Sequence, residues 1–305
     1  MVDVVVDTLG RPSVRRSQRN QISAPPTWAV PALAWYAVFM VGPLIAMFYL
    51  SLQKWATFAA PRSFAGFANF RKIFSDDIFY TAIRNSAFQL CLEVPLIIVL
   101  AFMLGYYLTL EPRGHAVLRF LFFTPALISM PAKAMIFLTV FSPPGLVNGL
   151  LGSIGLDAAA RAWLANSQTA LPVVIAIDMW SGIGFTAILF SARMSGIPGE
   201  LYEAAAVDGA SHWVRMWRVA YPLAKDYVGV LTMLQFFSTL FASAGTILLL
   251  TKGGPAGATT TLSYLVYQRA FIQFDIGYSQ AVAIILFFVG LIGMIIIRRS
   301  FRQTF

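Results

Sequence analysis

Apolar positions along this chain gather into long, nearly unbroken runs separated by short polar stretches. Trp28 to Leu52 is the first, and almost wholly apolar. It is longer than the roughly 7–15-residue core of a secretory signal peptide, so it reads as a retained span. Further runs occupy Ala87–Leu110, Ala116–Phe141, Thr169–Ala192, Tyr227–Thr251 and Tyr278–Ile297. Each is close to the ~20 residues an α-helix needs to cross the hydrocarbon core. The pattern predicts an all-α membrane protein of six transmembrane helices, with Pro31 and Pro43 placed to kink the first.

The polar stretches set the organisation. Residues 1–26 form a polar tail carrying Arg11, Arg15, Arg16 and Arg19; residues 27–305 form one membrane domain, whose largest loop is 193–226. An even number of spans puts both termini on one side. Lys and Arg are more numerous on that side: the tail arginines, Arg113 and Arg119, then Arg193, Arg215, Arg218 and Lys225, then Arg298, Arg299 and Arg302. The bias places both termini in the cytoplasm. The first outer loop is a local exception, with Lys54, Arg62, Arg71, Lys72 and Arg84. Its Phe67, Phe70, Ile73 and Phe74 are spaced as on an amphipathic helix, which either lies on the membrane surface or packs on the bundle.

Composition agrees with the pattern. Of 305 residues, 58% are hydrophobic and 11% charged, against about 25% charged in soluble domains. The net charge of +9 would suggest nucleic acid in a soluble protein, but here the basic residues crowd the ends of spans and set topology. With one cysteine, Cys91, no intrachain disulfide forms. His115 and His212 are far apart and both distant from Cys91, so no metal site is expected.

One loop carries a distinct design. Pro198 opens a helix with Glu200 and Glu203 near its positive end. Ala204, Ala205 and Ala206 make it slim and strongly helical. Asp208-Gly209 stops it, and Ser211 can cap a second helix. That second helix carries Trp213, Met216, Trp217 and Ala220 on one face and ends near Pro222. A slim projecting helix is either a plug for a partner's groove or a plain connector between spans.

Glu203-Ala204-Ala205, then Asp208-Gly209-Ala210, with Pro222 closing, resembles the EAA loop of ATP-binding-cassette importer permeases. Tyr221 stands where that family more often has an aliphatic residue. Gly66-Phe67-Ala68-Asn69-Phe70 with Asn85 resembles the first outer loop of the sugar-transporting branch, the maltose-type and glycerol-phosphate-type permeases. Gly145-Leu146-Val147-Asn148 with Gly155 resembles its second. Thr251-Lys252-Gly253-Gly254-Pro255, Thr260-Thr261-Leu262, Tyr267, Ala270-Phe271 and Gly277-Tyr278 resemble its third loop and final span, in the version found in the first permease of a heterodimeric pair.

The resemblance implies that Glu200, Glu203, Ala204, Ala205, Asp208 and Gly209 form a coupling helix that docks in a cleft on an ATPase. It implies a multi-pass protein of the bacterial inner membrane that translocates a sugar or related small polar solute. The implied partners are a second permease, a dimer of ATP-binding subunits and an extracytoplasmic solute-binding protein, with lipid around the spans. No cofactor is expected in this chain; ATP and magnesium belong to the partner ATPase. A P-loop needs a Gly-Lys pair, and no lysine here follows a glycine. The chain is therefore read as a transport subunit and not an enzyme.

Glu93, Lys133 and Asp178 fall inside predicted spans. At 1.5 Å per residue they lie roughly 9, 12 and 13 Å from the outer ends of spans two, three and four. Such residues pair with one another or face a polar cavity. One reading is an intramembrane ion pair among the three. The other is that Asp178, with Trp180, Ser181 and Phe185, lines a solute pathway. Gln235, Ser238 and Ser243 join that candidate path from span five, with Phe236, Phe237 and Phe241 between them, although such a phenylalanine stripe more often faces lipid or packs than lines a path. The alternative function is an ion-coupled secondary transporter, which needs coupling carboxylates near the midplane and often inverted repeats. Asp178 could serve there, but no repeat is visible. A membrane enzyme would need a catalytic cluster, and none stands out.

Overall fold

Helix is the one way a single apolar strand of chain can satisfy its own backbone groups in lipid, and nearly every apolar run here becomes one. The computed structural model describes residues 5–6, 12–13, 26–56 and 59–301. The tail arginines and Arg302 lie outside them. The chain divides into two compact units, Met1–Ala46 and Met47–Phe305. In the first, Val5–Val6 pairs antiparallel with Pro12–Ser13, and Trp35 and Phe39 bring their rings to 4.2 Å.

Five helices are long and apolar enough to span a membrane: Thr27–Ser51, Asp77–Thr109, Ala170–Met194, His212–Leu250 and Ile276–Ser300. They correspond to expected spans one, two, four, five and six. Expected span three is instead two helices, His115–Leu127 and Met130–Val140, bent by 99°. Pro125 lies in the last turn of the first piece, Ile128 and Ser129 are extended, and Pro131 sits in the first turn of the second. Proline is tolerated in the first turn of a helix, where its missing N–H would have no partner anyway, so Pro131 sits where the helix restarts in a new direction after the extended Ile128 and Ser129.

Span five also departs from expectation. Its helix begins at His212 and runs through Pro222 rather than ending near it. A π-helical turn at Met216–Ala220 directly precedes Tyr221-Pro222. The wider turn accommodates the proline ring and its missing N–H, which would otherwise break the helix. A second π-helical turn occupies Ser238–Ala242.

Spans two and four make the central seam through small residues, as membrane helices do where backbones approach closely. A Cβ on Gly105 would lie 2.6 Å from Phe190 Cβ. Span four approaches His115–Leu127 as closely, where a Cβ on Gly184 would lie only 1.8 Å from the Phe122 carbonyl oxygen. Phe102 meets Phe190 edge to face at 5.3 Å. A second core joins Ile73, Phe79, Leu262, Leu265, Tyr278 and Val282.

The first-loop helix Ala68–Phe74 packs on the bundle. Ile73 is fully buried while Phe67 and Phe74 are exposed. Asn69 Nδ2 donates to the Ser51 and Gln53 carbonyls at 2.7 and 2.9 Å. Gln53–Lys54 pairs antiparallel with Ser63–Phe64 nearby. Asp76 caps span two and Asp275 caps span six. Arg269 pairs with Asp76 and Lys72 with Asp275, and the Tyr278 hydroxyl donates to Asp76 at 2.9 Å. Each capping carboxylate thus ties its helix start to a cation from another element. Arg269→Ala should lower the thermal unfolding midpoint in detergent, because a hydrogen bond to a charged group contributes about 1.5–3 kcal/mol; an unchanged midpoint would mean that the pair adds nothing.

Two asparagines that the sequence places in outer loops lie on helices, Asn85 in Asp77–Thr109 and Asn148 in Leu146–Ser153, and both turn out to be ties. Asn85 Nδ2 donates to the Gly257, Ala258 and Thr260 carbonyls at 3.3, 3.0 and 2.9 Å. Asn148 Nδ2 donates to the Pro143 and Arg161 carbonyls, and its Oδ1 accepts from Trp163 Nε1 at 2.8 Å.

Candidate functional site: an intramembrane cavity and a projecting helix

A cavity of about 380 Å³ opens among span two, the broken span three, span four and span five. Asp178, Ser181, Phe185, Gln235 and Ser238 all line it. Trp180 does not: its ring meets Phe137 edge to face at 5.2 Å and is 43% exposed. Position 180 points about 160° away from each of its helix neighbours at 178 and 182, since successive residues turn roughly 100°. Phe236 and Phe241 pack against Gly293 and Gly290 of span six, which resolves the aromatic stripe as packing.

Glu93, Lys133 and Asp178 meet at this cavity, but no ion pair closes among them. The ion pairs among the described residues are Lys72–Asp275 and Arg269–Asp76. Neutral groups hold each charge instead. Glu93 is 2% exposed. It accepts from Gln89 at 2.9 Å, Thr239 at 2.8 Å and Gln235 at 3.4 Å. Asp178 Oδ1 accepts from Thr246 at 2.8 Å. Lys133 Nζ donates to Ser181 Oγ at 3.2 Å. Hydroxyls and amides solvate a charge without requiring one to meet another, so the expected pair is replaced by three separately solvated groups.

Ser243, which the sequence offers, lines the cavity together with Thr239 and Thr246, and sequence reasoning missed these last two. The spacing of the three, i, i+4 and i+7, continuing Gln235, is the signature of one helix face. The signal was present but was overshadowed by the phenylalanines between them.

The second feature is the helix Gly199–Val207 between spans four and five. It ends in a Schellman arrangement: Ala210 N donates to Ala205 O at 2.9 Å and Gly209 N to Ala206 O at 3.0 Å. That closure needs a left-handed residue after the cap, and Gly209 supplies it with φ +77°. Ser211 Oγ then accepts from Val214 N at 3.4 Å and caps the next helix. Glu200, Glu203, Ala204, Asp208 and Gly209 are exposed, whereas Ala205 is half-buried. Val207 is 88% exposed. Tyr202 faces inward, its ring 6.3 Å from Tyr106 of span two. Burial, and then the neighbouring Tyr106, push the Tyr202 phenol above its ordinary value, so it stays protonated. In the following helix Met216 and Ala220 are buried and Trp217 stacks on Phe102 at 5.5 Å, while Trp213 remains exposed. Three of the four residues expected on one face therefore pack as a face. Among the described residues no cluster of three or more metal-ligating side chains forms.

Comparison with known proteins converges on one family. Residues 94–304 match the binding-protein-dependent transport system inner membrane component family. A probable ABC transporter permease protein of Bacillus subtilis, YurN, is 32% identical, over 92% of this chain and 96% of its own. The diacetylchitobiose uptake system permease protein NgcF of Streptomyces coelicolor is 31% identical, over 93% and 83%. The lactose transport system permease protein LacF of Rhizobium radiobacter is 28% identical, over 84% and 86%. In fold, the chain resembles a chain in the crystal structure of a bacterial ABC transporter involved in the import of the acidic polysaccharide alginate. The TM-score is 0.78 at 24% identity, covering 91% of this chain and 94% of that one. A matching region of that extent, with relatives aligned over almost the whole length, places the chain in a family: it is an ABC transporter permease, a member of the binding-protein-dependent inner membrane components.

Proposed function

We propose that this permease passes a sugar or a similar small polyhydroxylated solute through the cavity between spans two to five. The single observation that carries the reading is the polar lining of that cavity, with Asp178, Ser181, Gln235 and Ser238 on its wall. Carboxylates accept hydrogen bonds from hydroxyls, and Phe185 offers a ring face to the apolar side of a sugar. Relatives named for lactose and diacetylchitobiose transport support the same solute class. The ion-coupled alternative has no support from family membership.

In this reading both termini and the Gly199–Val207 helix face the cytoplasm of a bacterial cell. The exposed Glu200, Glu203, Ala204, Asp208 and Gly209, with Ala205 beneath them, dock in a cleft of a separate ATPase that binds ATP and magnesium. A second permease completes the pathway. A solute-binding protein delivers the solute to the outer loops; a related transporter has been crystallised with an oligosaccharide-bound periplasmic protein. Closure of the ATPase pair moves the docked helices, and the spans alternate between inward- and outward-facing states. This chain makes and breaks no covalent bond.

The test is uptake of labelled sugars by the assembled transporter. Asp178→Asn keeps the shape and removes the charge. Uptake is expected to fall by roughly tenfold or more, the worth of one charge-assisted hydrogen bond. Full uptake with the complex intact would remove Asp178 from the path.

A further inference from the structure

We infer that Lys133 is a solute-contacting residue, and that Lys133 and Asp178 form a split charge pair which the transported solute bridges. The inference rests on the importer reading above and sharpens what its cavity recognises. Three ionisable side chains reach the cavity, and their hydrogen bonding separates them. Glu93 has donors on both oxygens, from span two and from the π-helical turn region of span five. It is buried at 2% exposure and ties the two helices together. Three of its roughly four acceptor sites are taken inside the protein.

Lys133 and Asp178 are unfinished. An ammonium has three donor hydrogens, and the Lys133 ammonium places one on Ser181. Among the described residues no carboxylate pairs with it. Asp178 receives Thr246 on Oδ1, and its Oδ2 receives nothing among the described residues. Charges at membrane depth are costly unless paired or solvated, and a charge that its own protein leaves half-solvated is open to a ligand. One charge sits on the second half of the broken span three with Ser181 as its partner, and the other on span four with Thr246 as its partner. Gln235 adds a further open acceptor: its Nε2 is used on Glu93 and Thr239, and its Oε1 is not engaged among the described residues.

The chemistry this wall accepts is a solute with donor hydroxyls or amides toward Asp178 and Gln235, and an acceptor oxygen toward Lys133. A neutral sugar supplies the acceptor as a hydroxyl or an acetamido carbonyl, an acidic sugar as a carboxylate. A purely cationic or apolar solute cannot bridge the pair.

Two measurements on the intact transporter with its partner subunits test this. In the first, Cys91 is replaced by Ser, and Lys133→Cys, Asp178→Cys and Glu93→Cys are each exposed to a charged, water-soluble methanethiosulfonate. Positions 133 and 178 are expected to label several-fold faster than position 93. In the second, uptake of labelled lactose, diacetylchitobiose and an alginate oligosaccharide is compared in wild type, Lys133→Met and Lys133→Arg. For a sugar that wild type carries, Lys133→Met should raise KM by roughly tenfold or more with Vmax little changed, as loss of a binding contact does. Lys133→Arg should restore part of it. The sugar with the largest KM penalty identifies the acceptor as hydroxyl, acetamido or carboxylate. Labelling at 133 as slow as at 93, or an unchanged KM in Lys133→Met, overturns the inference. If wild type carries none of the three sugars with ATP present, it is the sugar-importer reading that fails, and the labelling still decides whether Lys133 faces an aqueous path.

Discussion

Gly209→Pro should abolish solute uptake while leaving the protein inserted and folded in the membrane. Gly209 stands at φ +77° with open space around it. Proline is confined near φ −65° and cannot take that geometry. It would also remove the N–H that closes the helix on Ala206 O. The Gly199–Val207 helix would then lose its fixed end and its angle to the helix that starts at His212. Nothing in the cavity changes, because the turn is exposed and its packing with span two runs through Tyr202. The effect is therefore a loss of coupling and not of solute binding. Gly209→Ala gives the graded control: a left-handed non-glycine residue costs about 1–2 kcal/mol, so uptake should fall but persist. Adding Glu203→Arg to Gly209→Pro reverses a charge on the exposed face. A pull-down from gently solubilised membranes should recover the ATPase with wild type and not with the double variant. Equal recovery in both would show that docking uses another surface.

The second large effect lies inside the membrane. Gly184→Val should eliminate uptake and sharply lower thermal stability. A Cβ at this position would sit 1.8 Å from the Phe122 carbonyl oxygen and 2.7 Å from its carbon. Both are backbone atoms, so no rotamer change relieves the clash. Span four would have to move off His115–Leu127. Overpacking typically costs 1–3 kcal/mol, and a clash with backbone lies at or beyond the top of that range. The same shift would displace Ser181 and Phe185, on either side of Gly184, from the cavity wall. Gly184→Ala should show an intermediate loss. The measurements are the thermal unfolding midpoint in detergent and uptake in vesicles. Wild-type uptake in Gly184→Val would mean that the close contact is not kept during transport.

Much of the fold was legible in the sequence because the bilayer imposes a simple rule. A run of about 20 apolar residues has no soluble alternative, and five of the six expected runs are single helices. The loop helix was legible for a local reason: Pro198, the alanines, Asp208-Gly209 and Ser211 act through their own backbone preferences. The structure returns that helix, its Gly209 turn and its Ser211 cap. The cavity was partly legible. Polar residues in a span need a reason, and Asp178, Ser181, Gln235 and Ser238 all line it; of the two aromatic faces that suit a sugar, Phe185 lines it and Trp180 does not. Residue type gives the chemistry, but the face of the helix decides which ring reaches the cavity.

What the sequence by itself determined is therefore what depends on solvent and on a few consecutive residues: the spans, the exposed helix, the turn that ends it and the presence of three ionisable groups within the spans. Only the tertiary structure decided how those groups are satisfied. Formal charge favours a salt bridge between Lys133 and a carboxylate, and sequence has no means to weigh that against hydroxyls arriving from another helix. Packing brings Thr239 to Glu93, Thr246 to Asp178 and Ser181 to Lys133, and the pair stays open. The same holds for the 99° break at Pro131 and the helix that continues through Pro222. A proline permits a bend or a stop, but whether the chain bends, stops or carries on through a π-helical turn depends on the neighbours that hold each side.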